Sequence, residues 1–329
     1  MAAMTHAIRV HSTGGPEELR YERIPDPQPG HGEVLLRQTA IGVNFIDVYY
    51  RSGLYPLPSL PHVLGGESVG VVIGIGEGVD GIRLGDRIGC VSSSPPGSYA
   101  EQRVIPAAKA IPIPDRIDDA TAAAVMLKGL TAEFLARRIT PLHRGQRALV
   151  HAAAGGVGSL LCQWLHHLGV EVIGTVSTAA KAELAQRNGC AHTIVYTSED
   201  FVARVRDITV GDGVDIVYDS VGKTTAQGSL DCLCRRGTLV LFGNSSGKPD
   251  PIDPMALAKR GSLFVTRPSL HDYVHDRQEM LAAAAALWDV VERGAVRIHI
   301  DRELPLRDAA AAHRALESRS TTGSIVLIP

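Results

Sequence analysis

The stretch HAAAGGVGSLLCQWLHHLG, residues 151–169, decides the fold because it joins a glycine-rich turn to an amphipathic helix. Ala153, Gly155 and Gly158 have the spacing of a G-x-G-x-x-G turn with alanine in the first position. Small residues there let the backbone approach a pyrophosphate, which sits at the N-terminus of the following helix. RALVHAA before the turn predicts a short buried strand, and the apolar residues after it share one helical face up to Gly169. This context favours a dinucleotide-binding unit over an ordinary βα turn.

The second strand of this unit lacks an acidic residue at its end. An NAD-binding unit places Asp or Glu about 20 residues after the turn, where it accepts a bond from the ribose 2′-OH. Residues 173–177, IGTVS, contain no acid, while Glu171 lies too early and Glu183 falls on the next helix. Ser177 and Lys181 offer a hydroxyl and a cation, which suit a 2′-phosphate. The sequence therefore favours NADP(H), with a solvated surface lysine as the alternative for Lys181.

The pattern changes twice along the chain. Up to about residue 115, short alternating runs such as SVGVVIGIG stand between turns rich in proline and glycine, which predicts many short strands. From Arg147 onward, apolar runs such as VEVIGTV and VDIVYDSV alternate with helical segments, which predicts a parallel sheet. We expect an α/β protein in which a Rossmann domain, residues 128–266, is inserted into a β-rich domain made of residues 1–127 and 267–329.

Composition narrows the class of protein. A chain of 329 residues with 45% hydrophobic and 21% charged residues is typical of a two-domain soluble protein. The net charge of −2 and the absence of a basic cluster argue against nucleic acid as a partner. No run is long enough for a membrane helix, and MAAMTHAIRV is not a secretory signal. Five scattered cysteines fit a reducing cytoplasm, the expected location.

Two segments of the β-rich half, GVNFIDVYYRSGLYP and LGGESVGVV, resemble the medium-chain dehydrogenase/reductase superfamily. Its zinc members hold the catalytic metal with a Cys in the first segment and a His before the Glu of the second. Asn44 and Gly66 stand at those positions, and neither is a zinc ligand. Cys232 and Cys234, two apart on a predicted helix, would face different sides. We therefore expect no metal site.

Within that superfamily the chain resembles the zinc-free quinone oxidoreductases, the group that includes zeta-crystallin. The resemblance runs through KGLTA, HAAAGGVG, YDSVG, FGNSSG, VTRPSL and ESRSTTGSIVLIP and spans essentially the whole chain. It implies NADPH-dependent reduction of quinones by a GroES-like catalytic domain around a doubly wound Rossmann domain, in a homodimer.

The same resemblance implies a set of cofactor-binding residues. Residues 45–49 lie against the cofactor, residues 155–157 hold the pyrophosphate, and Ser177, Lys181 and Tyr196 surround the 2′-phosphate with Ser220 nearby. Residues 242–245 flank the nicotinamide, Arg319 reaches the cofactor from the C-terminal segment, and Lys128 and Thr131 complete the set. The set is Phe45, Ile46, Asp47, Val48, Tyr49, Lys128, Thr131, Gly155, Gly156, Val157, Ser177, Lys181, Tyr196, Ser220, Phe242, Gly243, Asn244, Ser245 and Arg319. Phe134 stands at a position where relatives can carry a tyrosine that contacts the cofactor, so the chain departs from the family pattern at this residue.

Catalysis of this kind needs a hydride donor held against an electrophile in a dry cleft, and a quinone needs no metal to be polarised. Asn44, Tyr49 and Tyr55 are the candidate donors to the quinone oxygen, where negative charge develops. Tyr55 is as readily a packing aromatic. Lys128 either bonds near the site or lies on a helix surface, and His151 reads as a structural histidine. Asn244 is alternatively a simple turn residue.

Two other functions remain open at this point. The same hydride would reduce the activated double bond of an enone or alkenal. A nucleotide-binding protein with a structural or RNA-linked role, as the zeta-crystallin resemblance suggests, is disfavoured by the charge. We expect a homodimer formed by edge pairing of the strand GTLVLFG, because an exposed apolar edge invites pairing with another chain.

Overall fold

A computed structural model describes residues 3–91, 96–318 and 321–329. The chain divides into two compact units, which are described separately: Met1–Lys128 with His275–Glu292 and Ile298–Pro329 form unit 1, and Gly129–Val274 with Arg293–Arg297 form unit 2. Within the described ranges, no helix is both long and apolar enough to cross a membrane.

Unit 1 is built from short, mostly antiparallel strands. Its strands are β1 (Met4–Val10), β2 (Arg20–Pro25), β3 (Glu33–Val43), β4 (His62–Val63), β5 (Glu67–Ile75), β6 (Arg87–Val91), β7 (Gln102–Pro106), β8 (Ile111–Pro112), β15 (Ile300–Pro305) and β16 (Ser324–Ile328). Its helices are α1 (Phe45–Ser52), α9 (Arg277–Glu292) and α10 (Ala309–Glu317), and it shares α2 (Asp119–Phe134) with unit 2.

These strands form two sheets. One has the order β2-β1-β4, and the other has the order β15-β16-β3-β5-β6-β8, with β7 also paired to β3. The apolar residues that alternate along β3 and β5 enclose a core that includes Leu36, Val72 and Ile105. The strand-rich first third predicted from the sequence is confirmed, and β16 brings the end of the chain into the same sheet.

Unit 2 alternates strands and helices. Its strands are β9 (Arg147–Val150), β10 (Glu171–Val176), β11 (Cys190–Val195), β12 (Val214–Asp219), β13 (Leu233–Leu241) and β14 (Phe264–Thr266). Its own helices are α3 (Gly156–His167), α4 (Ala179–Arg187), α5 (Phe201–Ile208), α6 (Ala226–Asp231), α7 (Pro254–Lys259) and α8 (Leu270–Tyr273).

The unit 2 sheet has the order β11-β10-β9-β12-β13-β14, and all of its described pairings are parallel. This is the doubly wound Rossmann order, with the reversal of strand order between β9 and β12. The predicted fold class is confirmed. One prediction is wrong: the strand within GTLVLFG is not an edge, because β13 pairs with both β12 and β14.

A second prediction fails at the pair of cysteines. Cys232 is the residue that follows α6, and Cys234 lies in β13, so the two do not share a helix. The sequence-based prediction extended the helix beyond its actual end at Asp231, whereas the structure begins a strand at Leu233. All five cysteines are free thiols.

Candidate functional site

The glycine-rich turn of unit 2 lies between β9 and α3, at the carboxyl end of the sheet. Gly155 is the N-cap of α3 and no side chain caps the helix, so its first N–H groups face outward from the turn. A Cβ added at Gly158 would overlap the carbonyl oxygen of Ala152, which itself has a φ of 52°. Only glycine permits this close approach. The turn therefore presents backbone donors and the positive end of a helix, an arrangement suited to phosphate.

The residues expected around a 2′-phosphate lie together at the ends of β10 and β11. Ser177 follows β10, and Lys181 lies in the first turn of α4, whose N-cap Thr178 accepts a hydrogen bond from the Lys181 N–H at 3.3 Å. Tyr196 follows β11, and its N–H donates to Val176 O at 3.1 Å. Tyr196 is 43% exposed. Ser177, Lys181 and Tyr196 thus lie in the segments that follow two neighbouring parallel strands.

The loops after β12 and β13 are joined through their backbones. The N–H of Ser245 donates to Ser220 O at 3.2 Å, and that of Phe242 to Asp219 O at 2.9 Å. A Cβ at Gly243 would come within 2.5 Å of Ser220 O. Ser220 and the segment 242–245 are therefore brought together at the same end of the sheet as the glycine-rich turn.

A buried polar network beneath these loops was missed by sequence reasoning. Asp219, at the end of β12, accepts hydrogen bonds from Ser229 Oγ at 2.9 Å and from the N–H groups of Val221 and Gly222 at 2.8 and 2.9 Å. The ring of His151 lies between Ser229 Oγ at 3.0 Å and Thr175 Oγ1 at 2.9 Å. The sequence signal was a polar residue at or next to the carboxyl end of each of three strands: His151 just after β9, Thr175 near the end of β10 and Asp219 at the end of β12.

Both ring nitrogens of His151 are hydrogen-bonded within this network. Burial lowers the pKa of its imidazole, and the Asp219 carboxylate opposes that change. A neutral ring with both nitrogens bonded holds the ends of β9, β10 and β12 in place, as the structural interpretation of His151 predicted.

The part of α2 that lies in unit 2 contains two residues singled out by the sequence analysis, Thr131 and Phe134. Thr131 is buried, with 9% of its surface exposed. Phe134 stacks on Tyr273 with ring centres 4.3 Å apart, and the guanidinium of Arg138 lies over the same Tyr273 ring. Phe134 therefore packs against an aromatic ring of its own unit.

In unit 1 the candidate residues begin at the N-terminus of α1. Asn44 is the N-cap, and its N–H donates to Asp47 Oδ2 at 2.9 Å in a capping box that fixes the start of the helix. The Asn44 Nδ2 group donates to Glu67 Oε2 at 2.7 Å and to Gly42 O at 3.4 Å. Both amide hydrogens of Asn44 thus face acceptors of this chain.

Glu67 is a buried carboxylate at the start of β5. Besides Asn44 it accepts the N–H of Leu127 at 2.6 Å, and the Lys128 ammonium lies 3.8 Å from its Oε2. Burial raises the pKa of Glu67, and Lys128 and the hydrogen bonds oppose that rise. Lys128 is 6% exposed and donates to Val43 O at 3.3 Å. It is therefore not a helix-surface lysine, which was one of its two sequence interpretations.

Asp47 ends a chain of buried hydrogen bonds that all point toward it. Arg51, which can only donate, bonds His313 Nδ1 at 3.1 Å, so His313 Nε2–H donates to the Tyr99 oxygen at 3.0 Å. Tyr99 then donates to Asp47 Oδ2 at 3.0 Å. Arg51 also forms a bidentate pair with Glu317 at 2.7 and 2.9 Å.

Burial dominates the electrostatics of this chain. It raises the pKa of Asp47 to about 7, against the hydrogen bonds from Asn44 and Tyr99. It also lowers the pKa of His313 to about 3, with a further lowering by Arg51, so the imidazole is neutral. Asp47 Oδ1 is buried without a hydrogen-bond partner among the described residues.

Three tyrosine rings follow on α1 and the loop after it. Tyr49 and Tyr55 are half-buried, with ring centres 5.3 Å apart in an edge-on contact, and Tyr55 also meets Tyr50. Tyr49 lies one helical turn from Phe45, 5.8 Å between ring centres. The structure thus gathers Asn44, Phe45, Tyr49, Tyr55 and Lys128 within unit 1. Arg319 lies outside the described residues.

A metal centre finds no donor set in the described part of the chain: it contains no group of three or more His, Cys, Asp or Glu side chains arranged to hold an ion. Asn44, which the sequence resemblance sets at the position of a cysteine, directs its amide at Glu67.

Two family models match the chain. The "Alcohol dehydrogenase GroES-like domain" covers residues 30–115, and the "Zinc-binding dehydrogenase" family covers residues 188–327.

Full-length relatives define the family more closely. The chain is 47% identical to a quinone oxidoreductase of Pseudomonas aeruginosa, over 99% of this chain and 100% of the relative. It is 45% identical to a 2-haloacrylate reductase of a Burkholderia species, over 99% of both. The crystal structure of Escherichia coli quinone oxidoreductase complexed with NADPH matches with a TM-score of 0.96 and 45% identity, over 99% of this chain and 100% of that one. The chain thus belongs to the quinone oxidoreductase family of the medium-chain dehydrogenase/reductase superfamily.

Proposed function

We propose that the protein is a zinc-independent quinone reductase that uses NADPH. The observation that carries the proposal is at the carboxyl ends of the neighbouring strands β10 and β11, where Ser177, Lys181 and Tyr196 lie in the segments that follow and none of the three is a carboxylate. An ammonium beside hydroxyl groups attracts a phosphate that a carboxylate would repel. The E. coli relative of similar fold was solved with NADPH, which supports the same coenzyme here.

The rest of unit 2 fits the coenzyme as well. The uncapped N-terminus of α3 and the space that Gly158 leaves suit a pyrophosphate. Segment 242–245 is proposed to flank the nicotinamide, Ser220 to lie near the 2′-phosphate, and Thr131 and Arg319 to contact the coenzyme, as the family resemblance implies. When bound, NADPH supplies the hydride.

In unit 1, we propose that apolar side chains form one wall of the substrate site and that polar side chains donate hydrogen bonds to the substrate. Phe45, Ile46 and Val48 provide the wall, and Tyr49 and Tyr55 are proposed to donate to the acceptor's oxygen as charge develops there. Asn44 was expected to donate as well, but its amide hydrogens face Glu67 and Gly42. We therefore propose that Asn44 positions the segment and does not itself donate.

The test is an NADPH-oxidation assay with a panel of quinones and enones, with and without a chelator. We expect turnover of quinones, a clear preference for NADPH over NADH, and the same rate with the chelator. Loss of activity on chelation that added zinc restores would contradict the zinc-independent proposal. No turnover of any quinone would contradict the substrate class.

A second candidate reaction is reduction of an activated carbon–carbon double bond. The observation that favours it is the 45% identity to a 2-haloacrylate reductase over 99% of the chain. The same assay separates the two, because rates with enones and haloacrylates would then exceed those with quinones.

We also propose that the protein is a cytoplasmic homodimer. The edge of the unit 2 sheet is β14, and Phe264 on that strand is 61% exposed. An exposed apolar edge is a template for pairing with a second copy. Free thiols at all five cysteines suit a reducing compartment.

A further inference from the structure

Lys128 brings a positive charge to the segment that starts at Asn44. Its ammonium lies 3.3 Å from the carbonyl oxygen of Val43, the residue just before that segment. It also lies 3.8 Å from Glu67 Oε2, the same oxygen that accepts the Asn44 amide at 2.7 Å. The ammonium and the Asn44 amide are therefore neighbours around one carboxylate oxygen.

The distance between the Lys128 ammonium and Glu67 is longer than that of a directly hydrogen-bonded ion pair. An ammonium that fully satisfies a carboxylate approaches to about 2.7–2.9 Å. Here Asn44 occupies that short position and Lys128 stays about 1 Å further out. Buried ion pairs rarely stabilise a fold more than apolar residues of the same size. Two acceptors face an ammonium with three N–H groups, so one N–H is left over among the described contacts.

We propose that Lys128 donates the proton to the acceptor oxygen that gains charge on reduction. This inference rests on the proposed function and gives that site its proton donor. A hydride brings two electrons and one hydrogen to the quinone, leaving one oxygen as an anion. One N–H bond of Lys128 then breaks as the O–H bond forms, giving the neutral hydroquinone and a neutral amine. The amine regains its proton from water after the product leaves.

The surroundings of Lys128 suit such a transfer. Burial lowers the pKa of its ammonium, which makes the proton easier to give than that of an exposed lysine. Glu67 from β5 and Asp47 from α1 are the charged groups that face it, and both oppose the lowering of its pKa. Asn44 has no hydrogen to offer in its place.

The experiment compares wild type with Lys128→Met and Lys128→Arg over a series of quinones whose hydroquinones differ in pKa. Positioned proton donors contribute about 10²–10⁴-fold. We expect kcat of Lys128→Met to fall by about 100-fold for the most basic products and by less than about 3-fold for halogenated quinones, which need little help from an acid. Lys128→Arg keeps the charge but cannot release a proton, so we expect it to show the same dependence.

Controls separate this role from simple damage. Glu67→Gln with Lys128→Met removes both charges together, so no carboxylate is left buried without its partner, and should show the same dependence on product basicity. Lys259→Met, at an exposed lysine of α7, should leave every rate unchanged. NADPH binding, followed by fluorescence titration, should stay within about 3-fold in Lys259→Met. The same titration on each Lys128 variant shows whether a coenzyme contact is lost as well, which would lower the rate with every acceptor equally at sub-saturating NADPH.

An equal loss of rate for every acceptor, or full activity of Lys128→Arg, would overturn the assignment of Lys128 while leaving the proposed reaction intact. If the wild-type protein reduces no quinone, the proposed function itself fails. The two failures are therefore distinguishable.

Discussion

Lys181 carries the charge by which we distinguish the two nicotinamide coenzymes. We predict that Lys181→Glu weakens NADPH binding by about 1.5–3 kcal/mol, the value of a charged hydrogen bond, and narrows the preference over NADH. Fluorescence titration with both coenzymes measures this. Arg187→Glu reverses a charge in the last turn of the same helix and should change little. Unchanged NADPH affinity in Lys181→Glu would remove the residue from the site.

Asp47 links the stability of unit 1 to pH. Its pKa is raised to about 7 by burial, whereas an unfolded aspartate titrates near 3.9. The folded state therefore binds the proton more tightly, and the free energy of unfolding should fall as the pH rises from about 4 to 7, by up to about 1.4 kcal/mol per unit.

Urea unfolding of wild type and Asp47→Asn at about pH 5 and pH 8 tests this. The asparagine keeps an acceptor for Asn44 and Tyr99, so we expect it to fold and to lose much less stability between the two pH values. Asp80→Asn, at an exposed aspartate, should retain the wild-type difference. Equal pH dependence in Asp47→Asn and wild type would show that Asp47 does not titrate as described.

Single residues also show where sequence reasoning stopped. Ser177 and Lys181 were predicted from their place after a recognisable parallel strand, whereas Tyr196 was predicted only from the family resemblance. The partners of Asn44 were not predicted, since Glu67 is 23 positions away and nothing in a local pattern pairs them. The buried hydrogen bond from Ser229 to Asp219 was not predicted either, because it depends on how α6 packs on β12.

At the scale of an element, the turn into α3 depends on one missing methyl group. We predict that Gly158→Ala destabilises the protein by about 1–3 kcal/mol, the usual cost of overpacking, because its Cβ would overlap Ala152 O. Moving the turn should also weaken NADPH binding at least about 10-fold, which is about 1.4 kcal/mol. Thermal unfolding and coenzyme titration are the measurements.

Gly97→Ala is the matched control, because a Cβ there would meet its nearest atom at an ordinary 3.5 Å. If Gly158→Ala were as stable as Gly97→Ala and bound NADPH equally well, the close approach of α3 to the turn would not matter.

Elements were predicted more reliably than their order. The strand–turn–helix at 147–167 followed from periodicity and glycine spacing, both of which are local. The position of β13 inside the sheet was missed because the pairing of strands depends on contacts between distant segments, which a local pattern does not record. Cys234 was placed on a helix because the local pattern did not show where α6 ends, although this residue lies on the strand that follows.

For the whole molecule, the property to test is the oligomeric state. We predict that Phe264→Lys, which puts a charge on the β14 edge, shifts the protein from dimer to monomer in sedimentation at micromolar concentration. Leu84→Lys changes a side chain of similar exposure, 66% against 61%, and should leave the dimer intact. A wild-type protein that sediments only as a monomer would exclude the dimer.

The place of β16 between β15 and β3 has a consequence for synthesis on the ribosome. Most of unit 2 is one uninterrupted stretch, Gly129–Val274, and can acquire its sheet while the remaining codons are still being read. Strand β3 is translated early and can pair with β5 and β7 soon afterwards, but its pairing with β16 must wait until Ser324–Ile328 has been made. A nascent polypeptide that has not yet reached these residues presents one edge of β3 with an unpaired backbone, a substrate for chaperones.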